Sequence, residues 1–318
     1  MSKYRPRVTI GLPVFNGEKY LRDTLESILA QTFQDFELII SDNASIDNTP
    51  VICREYAARD NRIRYYRNRS NLGGPANFNH VFKLSSSEYF KWAACDDILD
   101  PDFLLKCIKI LEANPSVVLC HSNTTQINER GELTGEYDFN VKANWAKPHN
   151  RFGDIILFDN DDWVALFGLM RSSSLRKTRL FGSYVSADRN LLAEIGLVGK
   201  IYSIPETLFF RREHSEAYTN KGFKSDHEKL AWWKPNKVTS KFVFTYWKVF
   251  IEYCKSARRM PLKGSERILC YIRITEWLLK QGWILMTKDL GMNILRHFRW
   301  HKRLLPIAKL FLRLGGIK

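Results

Sequence analysis

What this 318-residue chain lacks narrows its identity first. Its six cysteines (Cys53, Cys95, Cys107, Cys120, Cys254 and Cys270) form no Cys-x-x-Cys pair, and most lie inside apolar runs. That argues against a disulfide framework or a zinc finger and predicts reduced core thiols in a cytosolic protein. The seven histidines show no metal-ligand spacing of their own. No stretch of eighteen uncharged residues occurs, so a membrane-spanning helix is not expected. The opening "MSKYRPRVTI" has neither the charged n-region nor the apolar h-region of a secretory signal, and runs straight into a strand. There is no internal repeat and no recognised nucleic-acid module, so nucleic acid is not expected as a partner.

What is present is a hydrophobic content of 45%, enough for a packed core, and a net charge of +15 that is unevenly placed. Residues 251–318 hold 15 Lys or Arg against 4 Asp or Glu, while the first 250 residues are close to balanced. Two kinds of sequence are joined.

The first half alternates. "RVTIGLPVF" and "FELIISDNAS" are buried strands, and "EKYLRDTLESILAQT" between them puts Leu21, Leu25, Ile28 and Leu29 on one helical face. "DNTPVICREYAARD", "RIRYYRN", "SNLGGPANFNHVFKL", "EYFKWAAC", "DPDFLLKCIKILEANP" and "SVVLCHSNTTQI" continue the alternation. Strands apolar on both faces, alternating with helices, predict an α/β fold with a parallel sheet between helical layers. Ligands in such folds bind beyond the carboxyl ends of the strands. The polar residues that end these strands (Asn16, Asp42, Asn43, Asp96 and Asp97) are therefore expected in one crevice. Residues 129–160 read as loop-rich. "SADRNLLAEIGLVGK" reads as a helix closed by Gly199, and "KIYSIPETLFFRREHSEA" as a strand running out into a basic loop. Beyond about residue 225 the pattern is helical, basic and aromatic.

"FKWAACDDILDPDFL" places Asp96, Asp97, Asp100 and Asp102 within seven residues of a basic chain. A strand-end or capping role accounts for such residues in general, and Asp100 before Pro101 suits one. The alternative is a divalent cation, since one or two carboxylates plus phosphate oxygens are the usual ligands of Mg²⁺.

Together these segments resemble the family-2 glycosyltransferases, inverting enzymes of the GT-A fold. The resemblance rests on "VTIGLPVFNGEKYLRDTLESILAQTFQDFELIISDNASIDNT", "RNRSNLGGPANFNHVF" and "EYFKWAACDDILDPDFL", and covers roughly residues 6–215 in order and spacing. It implies a Rossmann-like nucleotide-binding sheet flanked by helices. It also implies that Pro13, Phe15 and Asn16 line the nucleotide pocket with Glu18 close by. Asp42 would hydrogen-bond a pyrimidine base, favouring UDP or dTDP, with Asn43 and Ser45 nearby. Asn71 and Gly73 would shape the loop over the nucleotide, and Asn79 would close it. Asp96 matches the last Asp of the family's Asp-x-Asp and would meet Mn²⁺ or Mg²⁺, with Asp97 following. Two departures stand out: Ala94 occupies the first Asp position, and Phe78 stands where many relatives carry Arg.

An inverting transfer needs a carboxylate beside the acceptor hydroxyl. By the same resemblance that base is Asp188, with Glu194 the weaker candidate; a first-turn Asp favoured by the helix dipole is the alternative. Leaving-group charge calls for cations or donors. "FFRREHSEA" supplies Arg211, Arg212 and His214, the last a second candidate metal ligand; a solvated basic loop is the bland alternative.

The expected organisation is a catalytic domain over 1–220, with a nucleotide-sugar half to about 128 and an acceptor half from 129. A basic amphipathic helical region follows over 221–318. Trp277, Trp283 and Trp300 among Lys and Arg suit either peripheral contact with an anionic membrane through residues 251–318 or ordinary packing on the core. The resulting expectation is an enzyme at the cytoplasmic face of the membrane. It would transfer a sugar from a nucleotide donor to a glycan or lipid-linked acceptor in polysaccharide assembly. A catalytically inactive nucleotide-sugar-binding protein is the main rival. A nucleotidyltransferase would want a glycine-rich basic loop where "LPVFNGEKY" stands, and a glycoside hydrolase would leave the nucleotide-side residues unexplained.

Overall fold

The computed structural model describes residues 5–137, 143–158, 164–217 and 243–298, with 230 and 310 as isolated positions. Its first half follows the expected alternation: β1 (Val8–Val14), α1 (Leu21–Leu29), β2 (Phe36–Asp42), α2 (Thr49–Arg59), β3 (Ile63–Arg67), α3 (Gly74–Leu84) and β4 (Tyr89–Trp92). Then come β5 (Ile98–Leu99), α4 (Phe103–Ala113), β6 (Val117–Ile127), β7 (Leu133–Tyr137), α5 (Pro148–Leu157), β8 (Leu169–Arg171), α6 (Ser172–Leu175), α7 (Ala187–Val198) and β9 (Lys200–Arg212). A single 3₁₀ turn, Val164–Phe167, precedes β8. The order across the sheet is β3-β2-β1-β4-β8-β6-β9-β5, with β7 paired to β6.

β1 and β2 are buried at every residue, as strands covered on both faces must be. They run parallel with Val14 opposite Asp42, and β3 and β4 join them in parallel. The rest of the sheet departs from the all-parallel expectation. β8 is antiparallel to both β4 and β6, β5 is antiparallel to β9, and only β6–β9 is parallel. Two-sided apolarity reports helical cover on both faces, not strand direction. The described residues between 129 and 158 hold more regular structure than the sequence suggests, namely β7 and α5. α5 buries Phe152, Ile155 and Ile156 together with Arg151, whose charge masks the apolar face in the sequence.

Two apolar clusters sit on opposite faces of the sheet. One joins β1 and β2 to α1, α2 and α4. The other joins α5 and α7 to the C-terminal helices α8 (Thr245–Arg259) and α9 (Gly264–Trp277) through Val249, Tyr253, Ile274 and Trp277. A π-turn over Leu278–Gly282 then leads into α10 (Trp283–Phe298). α8 and α9 thus pack on the core. The charged link is Glu194 of α7, fully buried, which accepts hydrogen bonds from Ser256 Oγ (2.6 Å), from the Arg259 guanidinium and from the Arg179 N–H (2.9 Å). The expected boundary near 220 and Trp300 lie outside the described residues.

Candidate active site

The carboxyl ends of β1 and β2 open the site. Val14 is followed by half-exposed Phe15 and by Asn16, whose φ of 53° is left-handed. Asn16 N–H donates to Ser45 Oγ at 2.9 Å, and Asn16 Oδ1 accepts from Ile46 N–H at 3.0 Å. Gly17 N–H donates to Thr49 Oγ1, and Glu18 Oε2 accepts from Asn48 N–H at 2.8 Å. The two strand-end loops are thereby laced together. Pro13, one residue back, is buried within β1, so its ring belongs to the floor. Gly17 lets this loop cross the next one: a Cβ there would stand 3.2 Å from Cys95 Sγ and 2.7 Å from Val14 Cγ2.

Asp42 is wholly buried. Its Oδ1 accepts from Ser45 N–H and its Oδ2 from the Tyr65 hydroxyl, each at 2.8 Å, while Arg67 Nε lies at 3.5 Å. Burial and the adjacent Asp42 charge push the Tyr65 phenol pKa up, holding it as a donor. These contacts brace the loop, which differs from the direct base contact implied by the resemblance.

Asn43 organises a second layer. Its Nδ2 donates to Asn71 Oδ1 at 2.8 Å, and its Oδ1 accepts from Asn68 Nδ2 and Leu72 N–H. Asn71 Oδ1 also accepts from Gly73 N–H, and Gly73 has a φ of 83° that favours glycine. Asn77 joins from below, donating to the Ser41 carbonyl and accepting from Asn68. Sequence reasoning missed Asn68 and Asn77. Their signal was the density of asparagines in "RNRSNLGGPANFNH", legible only once each had a partner.

Asn79 turns the other way. Its Nδ2 donates to the Phe181 carbonyl at 2.9 Å and its Oδ1 accepts from Phe181 N–H at 3.0 Å. It therefore anchors the segment leading to α7, and Phe78 packs edge-on against Phe181 beside it. Leu180 and Ser186 bracket that segment with left-handed φ values of 61° and 63°. With Asn16 and Ala44 they are the four non-glycine residues of positive φ among the described residues, and all lie in loops that frame this site. Asp188 follows in the first turn of α7, half-buried, its Oδ1 accepting from Arg189 N–H at 2.8 Å.

The four clustered carboxylates have separate fates. Asp100 Oδ1 accepts from Asp102 N–H, and Asp102 Oδ1 from the Thr32 hydroxyl, so both order the entry to α4. Asp97 is buried, its Oδ1 accepting from Arg212 N–H at 3.0 Å and its carbonyl from Thr24. Burial, reinforced by the neighbouring Asp96 charge, raises its pKa well above the ordinary carboxylate range. Asp96, its side chain a quarter exposed, turns its carboxylate toward His214 instead. Its Oδ2 meets His214 Nε2 at 2.9 Å across 118 residues of sequence, with the Tyr20 ring tilted against the imidazole.

Arg212 holds this corner together. Its Nε donates to the Asp96 carbonyl, its other nitrogens to the carbonyls of Asn128 and Glu129 and to Asp23, and it lies over the Tyr20 ring at 4.7 Å. With a side chain 1% exposed, it braces the carboxylate loop, where the resemblance implies a nucleotide-binding cation. Arg211 pairs with Glu213 at 3.3 Å. Beneath the loop, buried Lys91 donates to the Phe167 carbonyl and faces the Phe103 ring, and burial pulls its pKa down to about 7.

The Asp96–His214 pair, one carboxylate oxygen and one imidazole nitrogen 2.9 Å apart, is a donor set of the kind that binds a divalent ion. A carboxylate oxygen and an imidazole nitrogen already converge on one point and leave the remaining positions to phosphate oxygens and water. Among the described residues no group of three potential side-chain ligands occurs, so a diphosphate would have to complete the shell.

Comparisons with known proteins bear on the family and the fold. Residues 9–176 match the sequence profile of glycosyl transferase family 2. An uncharacterized glycosyltransferase of Methanocaldococcus jannaschii is 33% identical over 135 residues, covering 42% of this chain and 47% of that protein. The chain thus spans about half the length of that relative. The fold is similar to that of S. aureus TarS in complex with UDP (TM-score 0.63, 15% identity, 97% of this chain and 88% of that one). It is also similar to the mannosyltransferase PcManGT from Pyrobaculum calidifontis in complex with GDP-Man and Mn²⁺ (TM-score 0.54, 14% identity, 99% and 80%).

Proposed function

The chain belongs to glycosyl transferase family 2, and from that premise we propose that it transfers a sugar from a nucleoside-diphosphate donor to a hydroxyl of a glycan or lipid-linked acceptor, with inversion. The observation that carries this reading is the meeting of Asp96 and His214 at 2.9 Å beside the laced loops of β1 and β2. The loops carrying Phe15, Asn16, Ser45 and Asn71 form the nucleotide pocket, with Asp42 and Asn43 holding their shape. Asp96 and His214 would hold Mn²⁺ or Mg²⁺ against the diphosphate, where such an ion supplies positive charge. Arg211 adds a cation for the same developing charge, while Arg212 keeps the Asp96 loop in register.

Asp188 takes the proton from the acceptor hydroxyl. Its place in the first turn of α7 puts a negative charge where the helix dipole favours one, and the Asn79 clamp on Phe181 holds the segment that leads into that turn. Glu194 is excluded from this role by its burial and its three partners. Along α9, the π-turn and α10, exposed Ile268, Tyr271, Ile272, Leu279 and Trp283 recur at helical spacing in a cationic region. That row supports peripheral contact with an anionic membrane surface. No helix among the described residues is long and apolar enough to cross a membrane.

The test is thermal shift of wild type and Asp96→Ala with UDP, dTDP, GDP and CDP, each with and without Mn²⁺. One diphosphate should stabilise the wild type more strongly with metal, and the variant should lose that increment. An absence of any nucleotide response would sink the donor-site assignment.

A further inference from the structure

A second cavity, of about 260 Å³, lies behind the first turn of α7, where that turn meets the C-terminal helices. Ser186 and Arg189 line it from α7, Tyr246 from α8, and Trp277, Lys280 and Gln281 from α9 and the π-turn. Its size is just below the range of about 300–1,000 Å³ that suits drug-sized ligands, so it accommodates one monosaccharide-sized group. Ser186 and Arg189 flank Asp188 in sequence, which sets this cavity within about one helical turn, some 5 Å along the axis, of the proposed base.

The cavity is built rather than incidental. Two of its polar residues come from a π-turn, a form of backbone that occurs rarely and gathers at functional sites. That turn is compatible with Trp277 only because residue 282 is glycine: a Cβ there would stand 2.5 Å from the indole. The indole is held by stacking on Phe250 and by the edge contact with Tyr253, and its Nε1 is buried with no hydrogen-bond partner. Arg189 and Lys280 contribute cations to the lining, which holds no Asp or Glu, while the buried Asp289 carboxylate sits behind the wall and accepts from the Tyr246 N–H at 2.7 Å. Lys280 pairs outward with Glu276 at 2.8 Å, but Glu276 also receives Arg273 at 2.8 Å, so the trio keeps a net positive charge.

We propose that this cavity is an acceptor subsite for an anionic sugar, a pyranoside carrying a carboxylate or a phosphate. The indole and Tyr246 supply an apolar wall for the ring, while Arg189, Lys280 and Gln281 supply donors for the anion. The proposal rests on the glycosyl-transfer reading for its name as an acceptor site, but its binding chemistry stands apart from the nucleotide pocket.

The experiment is saturation-transfer NMR on the full chain with methyl β-D-glucuronide, glucose 6-phosphate and neutral methyl β-D-glucoside. Wild type is compared with Lys280→Glu and Tyr246→Ala, and thermal shift with UDP and Mn²⁺ is run on all three proteins. At least one anionic sugar should bind several-fold more tightly than the glucoside. Lys280→Glu should weaken it about tenfold, as expected for reversing one partly solvated charge. Tyr246→Ala should weaken all sugars that bind. Whether glucuronide or glucose 6-phosphate is favoured identifies the anion. Equal binding of charged and neutral sugars, binding indifferent to Lys280→Glu, or displacement by UDP would each overturn the proposal. If no nucleotide shifts the protein while the anionic preference and its dependence on residue 280 persist, the subsite stands and the donor reading fails.

Discussion

Replacing Arg212 by Ala tests how the carboxylate loop is held. The guanidinium makes hydrogen bonds of 2.9, 3.2 and 3.0 Å to the carbonyls of Asp96, Asn128 and Glu129, and pairs with Asp23 at 3.0 Å. A hydrogen bond from a charged donor contributes about 1.5–3 kcal/mol, but three to one group do not add, and Asp23 is more than half exposed and re-solvates at little cost. The loss is therefore about 3–4 kcal/mol. For a chain of this size, that lowers Tm by about 4–6 °C. The function-linked part is sharper: with its carbonyl released, the Asp96 loop no longer sets its carboxylate against His214, so the Mn²⁺-dependent part of the nucleotide shift disappears as well. Differential scanning fluorimetry with and without UDP and Mn²⁺ reads both effects. Arg211→Ala is the comparison: it removes the neighbouring cation and its 3.3 Å pair with Glu213 but none of the guanidinium bonds to the loop carbonyls, so it should lower Tm by less than Arg212→Ala does. An Arg212→Ala protein with unchanged Tm and intact metal response would refute the bracing role.

Other outcomes follow from the same contacts. Asp188→Asn should lower transfer by about 10²–10⁴-fold while leaving nucleotide binding unchanged, measured by product formation beside the thermal shift. Glu194→Ala strips the Arg259 guanidinium of its carboxylate, leaves Ser256 Oγ only Asn190 Oδ1 as acceptor, and should cost about 3–5 kcal/mol in urea unfolding, more than any effect on donor affinity. Lys91→Met should stabilise the fold in a pH-dependent manner. The folded lysine pKa of about 7 lies below its unfolded value of about 10.4, so native lysine costs nothing above the unfolded pKa and progressively more as pH falls toward 7. The methionine variant should gain Tm at pH 7 and lose that gain near pH 10.5; a pH-independent difference would contradict the assignment.

The alternation from β1 to β6 was legible in the sequence because each strand is a short apolar run ended by a polar residue. Strand direction was not, since two-sided burial looks the same for β4, which is parallel to β1, and for β8, which is antiparallel to β4. Asp96 and His214 were separately recognisable, but their meeting depends on β9 running beside β6 and carrying His214 back to the carboxylate loop. Arg212 and Arg211 are adjacent and chemically alike in sequence. The strand's two-residue alternation turns Arg212 into the corner beside Asp23 and leaves Arg211 beside Glu213, so their roles diverge only in the fold. Asn79 was read as closing the nucleotide loop. What it holds is the Phe181 backbone, a partner 102 residues away that no local pattern announces.

The central claim is that this site moves a sugar off a nucleoside diphosphate. Its most direct test is release of the diphosphate from a panel of UDP-, dTDP- and GDP-sugars with Mn²⁺, using wild type, Asp96→Ala and Asp188→Asn in the presence of candidate acceptors. Wild type should consume at least one donor, Asp96→Ala should do so poorly through weak metal-dependent binding, and Asp188→Asn should bind the donor normally but fail to transfer it. A wild type that binds a nucleotide-sugar tightly yet turns over none of the panel with any acceptor would contradict it, and would make the protein a nucleotide-sugar-binding member of the fold without catalysis.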